Sequence, residues 1–246
     1  MCGIIGIVST KNIVPSLVEG LKRLEYRGYD SAGVATLQDN NIVRCRAEGK
    51  LVNLEERLKQ TPMTGTIGIG HTRWATHGEP TENNAHPHAT KRVAVVHNGI
   101  IENYAELKEE LKSHQVRFET DTDTEVIAHL VDHYMTQGEK PEDAAHKAFD
   151  RLRGAYSVVL MFAGEENMLI GARQGTPLAI GYGENEMYIA SDSYALSPFT
   201  RKICFLEDGD RLVVTNDNAR IMNAKKKPVD RPVRITAQSG LATGKG

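Results

Sequence analysis

Gly3 to Val8 is an unbroken apolar run, the pattern of a short strand covered on both faces. The period then changes: Ile13, Val14, Leu17, Val18, Leu21 and Leu24 recur at helical spacing, with Asn12 placed to cap the start and Arg27-Gly28 near the stop. Stretches 32–38 and 42–47 flank Asp39-Asn40-Asn41 and predict a hairpin. Residues 51–59 predict an amphipathic helix, and 66–70 a glycine-rich strand that lets another backbone or a ligand come close. Glu79 to Arg92, with two prolines and no apolar period, predicts a long loop. Val93 to Val96 is a second doubly covered strand, ending in His97-Asn98-Gly99.

Helical patterns follow at 102–114, 123–135 and 141–152, with Pro141 in the first turn of the last. From Ala155 the chain reads as short strands, at 156–162, 168–172, 178–182, 187–190, 203–206 and 211–215, punctuated by glycine turns. Hairpin-joined strands with helices grouped between them predict an α+β layered fold built on antiparallel sheets. Lys225-Lys226-Lys227-Pro228 and the small residues of 239–246 break every pattern. The expected domain is therefore 1–220, with 221–246 a linker or tail.

Composition narrows the picture only by exclusion. A net charge of −2 gives no argument for nucleic acid or a membrane surface, and no run approaches the roughly 20 apolar residues of a membrane helix. Cys2, Cys45 and Cys204 are too few and scattered for a disulfide framework, and no signal peptide is readable, so a reducing, cytoplasmic setting is expected. His71, His77, His86, His88 and His97 crowd one region, but without acidic or thiol companions at ligand spacing. Loop hydrogen bonding accounts for them better than a metal. Neither a metal nor another cofactor is expected.

Candidate chemistry begins at the N-terminus. Once Met1 is removed, Cys2 carries a thiol and a free α-amine on one Cα, and the amine's reference pKa of about 7.7–8.0 suits it to take the thiol proton. On position alone Cys2 is equally a small strand residue. An amide-cleaving thiol also needs donors for an oxyanion and groups for the substrate's charged ends. Asn98-Gly99 supplies a side-chain amide and a backbone N–H, although the dipeptide also serves as a plain turn. Arg73 and Asp123 suit the carboxylate and ammonium of an amino acid, and are equally a surface charge and a cap. Trp74, the only tryptophan, either walls a small pocket or anchors the core. Tyr26 to Gly33 is either a helix stop with its turn or a functional loop.

Five segments, Met1 to Ile4, Glu25 to Gly33, His71 to Gly78, Val96 to Asn103 and Glu119 to His129, together resemble the glutaminase domains of the glutamine:fructose-6-phosphate aminotransferases. The resemblance implies a class II glutamine amidotransferase with the four-layer αββα N-terminal nucleophile hydrolase fold and two antiparallel sheets. It implies Cys2 as nucleophile, with its own amine as base, Asn98 and Gly99 as oxyanion hole, and Arg27 near the nucleophile. Arg73 would hold the glutamine carboxylate and Asp123 its ammonium, with Trp74, Thr76 and His77 lining the pocket. L-Glutamine is the implied substrate. Fructose 6-phosphate would be met only through sugar-isomerase-like domains beyond this chain, in a homodimeric full-length enzyme whose isolated glutaminase domain is a monomer. The wording of His71 to Gly78 separates this family from the related phosphoribosyl pyrophosphate amidotransferases.

Overall fold

In the computed structural model, which describes residues 2–75 and 78–236, the opening apolar run is β1 (Gly3–Ser9). Then come α1 (Val14–Lys22), a 3-10 turn (Glu25–Arg27), β2 (Ser31–Gln38), β3 (Asn41–Glu48), α2 (Leu51–Gln60), β4 (Ile67–Arg73), β5 (His88–Ala89) and β6 (Val93–Ile101). Three helices follow, α3 (Tyr104–Ser113), α4 (Glu125–Thr136) and α5 (Pro141–Arg151). The remainder is β7 (Gly154–Phe162), β8 (Leu169–Gln174), β9 (Ala179–Tyr182), β10 (Glu186–Ala190), α6 (Ser193–Leu196), β11 (Lys202–Phe205), β12 (Arg211–Val214), β13 (Ala219–Met222) and β14 (Val233–Ile235).

The strands form two antiparallel sheets. One runs β14-β11-β9-β10-β1-β4-β2-β3 and the other β13-β12-β8-β7-β6-β5. Side chains alternate across a strand, and the core divides accordingly. On β1, Ile4 and Val8 join Ile67 and Ile69 of β4 and Ala94, Val96, Val159 and Met161 of the opposite sheet in a layer between the sheets. Ile5 and Ile7 point the other way, against Leu17 and Leu21 of α1 and Leu51 and Leu54 of α2. Val93, Val95, Val158 and Leu160 likewise turn outward onto α3, α4 and α5. The four layers α, β, β, α explain why the central strands read as unbroken apolar runs: both faces are covered. Each buried Ile or Val contributes about 1.5–3 kcal/mol, and a one-residue slip would exchange the two faces of a strand, so the register is strongly held.

The domain boundary expected at residue 220 is corrected. β13 pairs with β12, β14 pairs with β11 through Cys204↔Val233, and Arg231 Nη2 lies 2.8 Å from Asp210 Oδ1. Residues 221–236 therefore belong to the fold. These are edge strands of three and four residues, held by main-chain pairing and charge, so they carry no hydrophobic period to read. The expected tail at 237–246, the pocket residues Thr76 and His77, and Met1 lie outside the described residues.

Candidate active site

The layer between the sheets is apolar until it reaches one end. Going out along β4 the inward positions are Ile67, Ile69, His71 and Arg73, and along β6 they are Ala94, Val96 and Asn98. Cys2 lies two positions before Ile4 on the same face of β1. Segments well separated in the chain thus bring a thiol, an imidazole, a guanidinium and a carboxamide to one spot: β1 pairs with β4 through Ile4↔His71, and Asn98 of β6 reaches the Cys2 carbonyl from the opposite sheet.

Cys2 Sγ accepts a hydrogen bond from Trp74 N–H at 3.2 Å and donates to Trp74 O at 3.4 Å. The segment that supplies these contacts is held by the loop after the 3-10 turn. Asp30 N–H donates to Arg73 O at 3.0 Å, and Asp30 Oδ2 accepts from Ala75 N–H at 2.9 Å. Gly28 permits this approach, because a Cβ there would fall 2.7 Å from the Arg73 carbonyl carbon and 2.8 Å from Trp74 N. The Tyr26 to Gly33 loop is therefore a clamp on the backbone around the thiol. Burial pushes the Cys2 thiol up from its ordinary value, opposed by the Trp74 N–H and Arg73. A thiol so placed stays protonated until a base takes its proton.

Asn98 is buried, and its Nδ2 donates to the Cys2 carbonyl oxygen at 3.1 Å. Its Oδ1 lies 3.0 Å from His71 Nε2, which is also 3.0 Å from His97 O. Among the described residues the Asn98 amide nitrogen donates to no other group. Gly99, beside it, has φ +113°, and a Cβ there would meet the Ala155 carbonyl oxygen at 2.0 Å, so only glycine fits. The histidines serve hydrogen bonding: His97 Nδ1 meets Thr124 Oγ1 at 2.9 Å, and His88 Nε2 meets Thr122 Oγ1 at 3.2 Å. Burial holds the His71 imidazole down to about 3, hence neutral. No three His, Cys, Asp or Glu side chains among the described residues form a metal-ligand group.

Cys2, Arg73, Trp74, Gly99 and Asp123 line one small cavity, together with His86, His97, Thr122 and Thr124. Arg73 is only 4% exposed; its guanidinium donates to Glu79 O at 3.0 Å and Gly78 O at 3.2 Å, so the loop after β4 orients it. Asp123 is 5% exposed and accepts from Ile101 N–H at 2.8 Å. A cation from the end of β4 and an anion from the turn before α4 thus face a shared space. Trp74 lines that space while remaining 43% exposed, with Tyr29 edge-on at 5.4 Å. It is a wall of the cavity, not an anchor of the core. Arg27 does not line the cavity; its Nη2 is 2.6 Å from Asp192 Oδ2, which also accepts from the Tyr26 hydroxyl. A wider groove of about 680 Å³, lined by Arg44, Arg92, Arg117, Glu119, Glu125 and His129 among others, shares no residue with the cavity, so size does not locate the chemistry.

The turn that presents Asp123 is pinned by Glu125, whose carboxylate accepts from Glu119 N–H, Thr120 N–H and the Thr120 hydroxyl, each at 2.8 Å, and from His129 at 3.2 Å. Burial works to raise this carboxyl, and the hydrogen bonds prevail, bringing it from 4.5 to about 2. A folded value below the unfolded one stabilises above pH 4.5 and is lost as pH falls toward 2. Glu125→Gln is therefore expected to cost about 3 kcal/mol at neutral pH in urea unfolding, with the gap from wild type closing near pH 2.

Two antiparallel sheets between helical layers, with a thiol at the mouth of the inter-sheet core, define the N-terminal nucleophile class of amidohydrolase folds. The solved glutamine phosphoribosylpyrophosphate amidotransferase from B. subtilis, complexed with ADP and GMP, is similar to this chain with TM-score 0.78 and 25% identity, covering 90% of this chain and 49% of that one. The model of the glutamine amidotransferase domain family matches residues 71–198. The chain belongs to that family. Among curated proteins, the isomerizing glutamine–fructose-6-phosphate aminotransferase of Brucella abortus biovar 1 is 56% identical over 246 residues, all of this chain and 40% of that protein. The Bradyrhizobium diazoefficiens protein of the same name is 59% identical over 231 residues, 94% of this chain and 38% of that protein. The chain thus spans about 40% of the length of these relatives.

Proposed function

We propose that this chain hydrolyses L-glutamine to glutamate and ammonia through a γ-glutamyl thioester on Cys2. The observation that carries the reading is that the Cys2 thiol shares one cavity with the Arg73 guanidinium and the Asp123 carboxylate. Arg73 takes the substrate carboxylate and Asp123 its ammonium, which leaves the side-chain amide at the sulfur. With Met1 removed, the Cys2 α-amine takes the thiol proton as sulfur attacks the amide carbon. The free N–H of Asn98 and the Gly99 N–H receive the charge that develops on the amide oxygen. The α-ammonium returns its proton to the departing nitrogen, and ammonia leaves. Water, deprotonated by the same amine, then adds to the thioester, and glutamate departs as the thiol regains its proton. Arg27 supports the nucleophile from outside the cavity, through its ion pair with Asp192.

The 56% identity to a glutamine–fructose-6-phosphate aminotransferase, against 25% to the phosphoribosylpyrophosphate enzyme, favours the first as the setting of this domain. In that setting the ammonia passes to fructose 6-phosphate held by the part of the relatives this chain does not span. The full-length protein is then a cytoplasmic homodimer, in keeping with the lack of any membrane-crossing helix among the described residues. Arg73→Ala tests the substrate assignment. The KM for glutamine is expected to rise roughly 10- to 100-fold, the worth of one charge-assisted hydrogen-bond pair, with kcat changed far less. An unchanged KM removes Arg73 from the carboxylate site.

A further inference from the structure

His71 is not used by the mechanism above, yet it touches the group that the mechanism depends on. Its Nε2 lies 3.0 Å from Asn98 Oδ1 and 3.0 Å from the His97 carbonyl oxygen. At its other end the Asn98 amide is 3.1 Å from the Cys2 carbonyl oxygen. The two ends of an asparagine amide are nearly the same shape, so packing alone does not choose which end faces the thiol. The two main-chain carbonyls do. A carbonyl can only accept, so the His97 oxygen requires a hydrogen on Nε2, and the Cys2 oxygen requires the amide nitrogen. An imidazole with hydrogen on Nε2 then donates to Oδ1, and the whole run is satisfied in one sense only: Nε2–H to Oδ1, Nδ2–H to the Cys2 carbonyl. Turning the amide over would set Oδ1 against the Cys2 oxygen and two hydrogens against the Nε2 hydrogen.

The ring is built for this tautomer. Its Nδ1 is buried without a hydrogen-bond partner among the described residues, which is tolerable for a bare lone pair and costly for an N–H. The ring lies flat on His86, centroids 4.0 Å apart and planes 14° from parallel, so a flip about Cβ–Cγ, which would put a carbon where Nε2 stands, has to pass through the stack. Burial keeps it uncharged, so it delivers the same hydrogen across the whole working pH range.

We infer that His71 is a positioning residue that fixes the Asn98 amide with its NH2 toward Cys2, so that one N–H holds the nucleophile's carbonyl and the other stands ready for the oxyanion. The inference rests on the glutaminase reading of the site. Donation to Oδ1 also polarises the amide and makes its free N–H a stronger donor where charge develops. His71 never meets the substrate, so its loss should appear in kcat and not in glutamine binding.

The test uses the chain with Met1 removed and compares His71→Leu, which deletes the donor, with His71→Gln, whose amide N–H can replace it. His71→Leu is expected to lower kcat roughly 10²- to 10³-fold, the usual loss of one oxyanion donor, with the KM for glutamine close to wild type. His71→Gln is expected to recover at least about tenfold of that loss. Equal losses in both variants with a raised KM would mean that His71 only fills space, and wild-type kcat in His71→Leu would overturn the inference outright. A wild-type chain that releases no ammonia would instead overturn the glutaminase reading on which the inference depends. Nitrogen-15 NMR of the wild-type histidines gives a reading that needs no variant: His71 is expected to show hydrogen on Nε2, unchanged between about pH 5 and 9. Hydrogen on Nδ1, or titration in that interval, contradicts the inference.

Discussion

Cys2→Ala abolishes glutamine hydrolysis while leaving the fold and glutamine binding in place; that is the largest effect expected of any single change. The sulfur lies outside the three hydrophobic clusters, and among the described residues its removal costs the hydrogen bonds with Trp74. Cys2→Ser is expected to lose most activity as well, although it keeps a hydroxyl in place, because burial already holds the thiol protonated and a hydroxyl is far harder to ionise. Retaining Met1 should be nearly as damaging. It turns the α-amine into an amide, which cannot take the proton that this environment leaves on sulfur. Ammonia release by processed, Met1-retaining and Cys2→Ala samples, each checked by intact mass, measures all three; equal rates in the first two would end the amine's role as base.

Asn98→Ala follows, with kcat expected to fall roughly 10²- to 10³-fold and KM to move little, the signature of an interaction made mainly in the transition state. Two losses combine, since the Asn98 side chain both offers an N–H to the oxyanion and ties down the Cys2 carbonyl at 3.1 Å. Asn98→Asp should be worse than alanine. Its carboxylate can still accept from His71, but it presents negative charge to the Cys2 carbonyl and to the developing oxyanion. Steady-state kinetics with glutamine decide the order, and an aspartate variant more active than the alanine one would show that Asn98 does not face the oxyanion.

Most of the central architecture was legible in the sequence because it is written in apolar runs. Gly3 to Val8 and Val93 to Val96 announce strands covered on both faces, and they are the strands that bear Cys2 and Asn98 at their ends. The residues that carry charge into the site were legible as types and not as neighbours. Arg73 and Asp123 face one cavity only because β4 and the turn before α4, far apart in the chain, come together in the fold, which no local period records. Arg27 illustrates the limit, since its partner Asp192 is 165 residues away, on the turn that opens α6. The edge strands β13 and β14 were missed because main-chain pairing and the Arg231–Asp210 pair hold them without an apolar pattern.

His71 shows what a closer reading of alternation offers. Ile67, Ile69, His71 and Arg73 share one face of β4, as Ala94, Val96 and Asn98 share one face of β6. Where an inward apolar series turns polar on two facing strands, a buried polar site is the expected consequence, because such groups survive burial only by satisfying one another. Reading the histidines as a cluster obscured this. Reading them by strand register isolates His71 as the one aligned with Asn98.

The central claim, that Cys2 is the nucleophile of a glutamine site, is tested most directly by covalent labelling with an electrophilic glutamine analogue followed by peptide mapping. Cys45 and Cys204 provide an internal control, since neither lines the cavity. Stoichiometric label on the N-terminal peptide, suppressed by excess L-glutamine and absent when Met1 is retained, is the predicted result. Label on Cys45, Cys204 or any other residue, with Cys2 unmodified in a chain that still releases ammonia from glutamine, would contradict it.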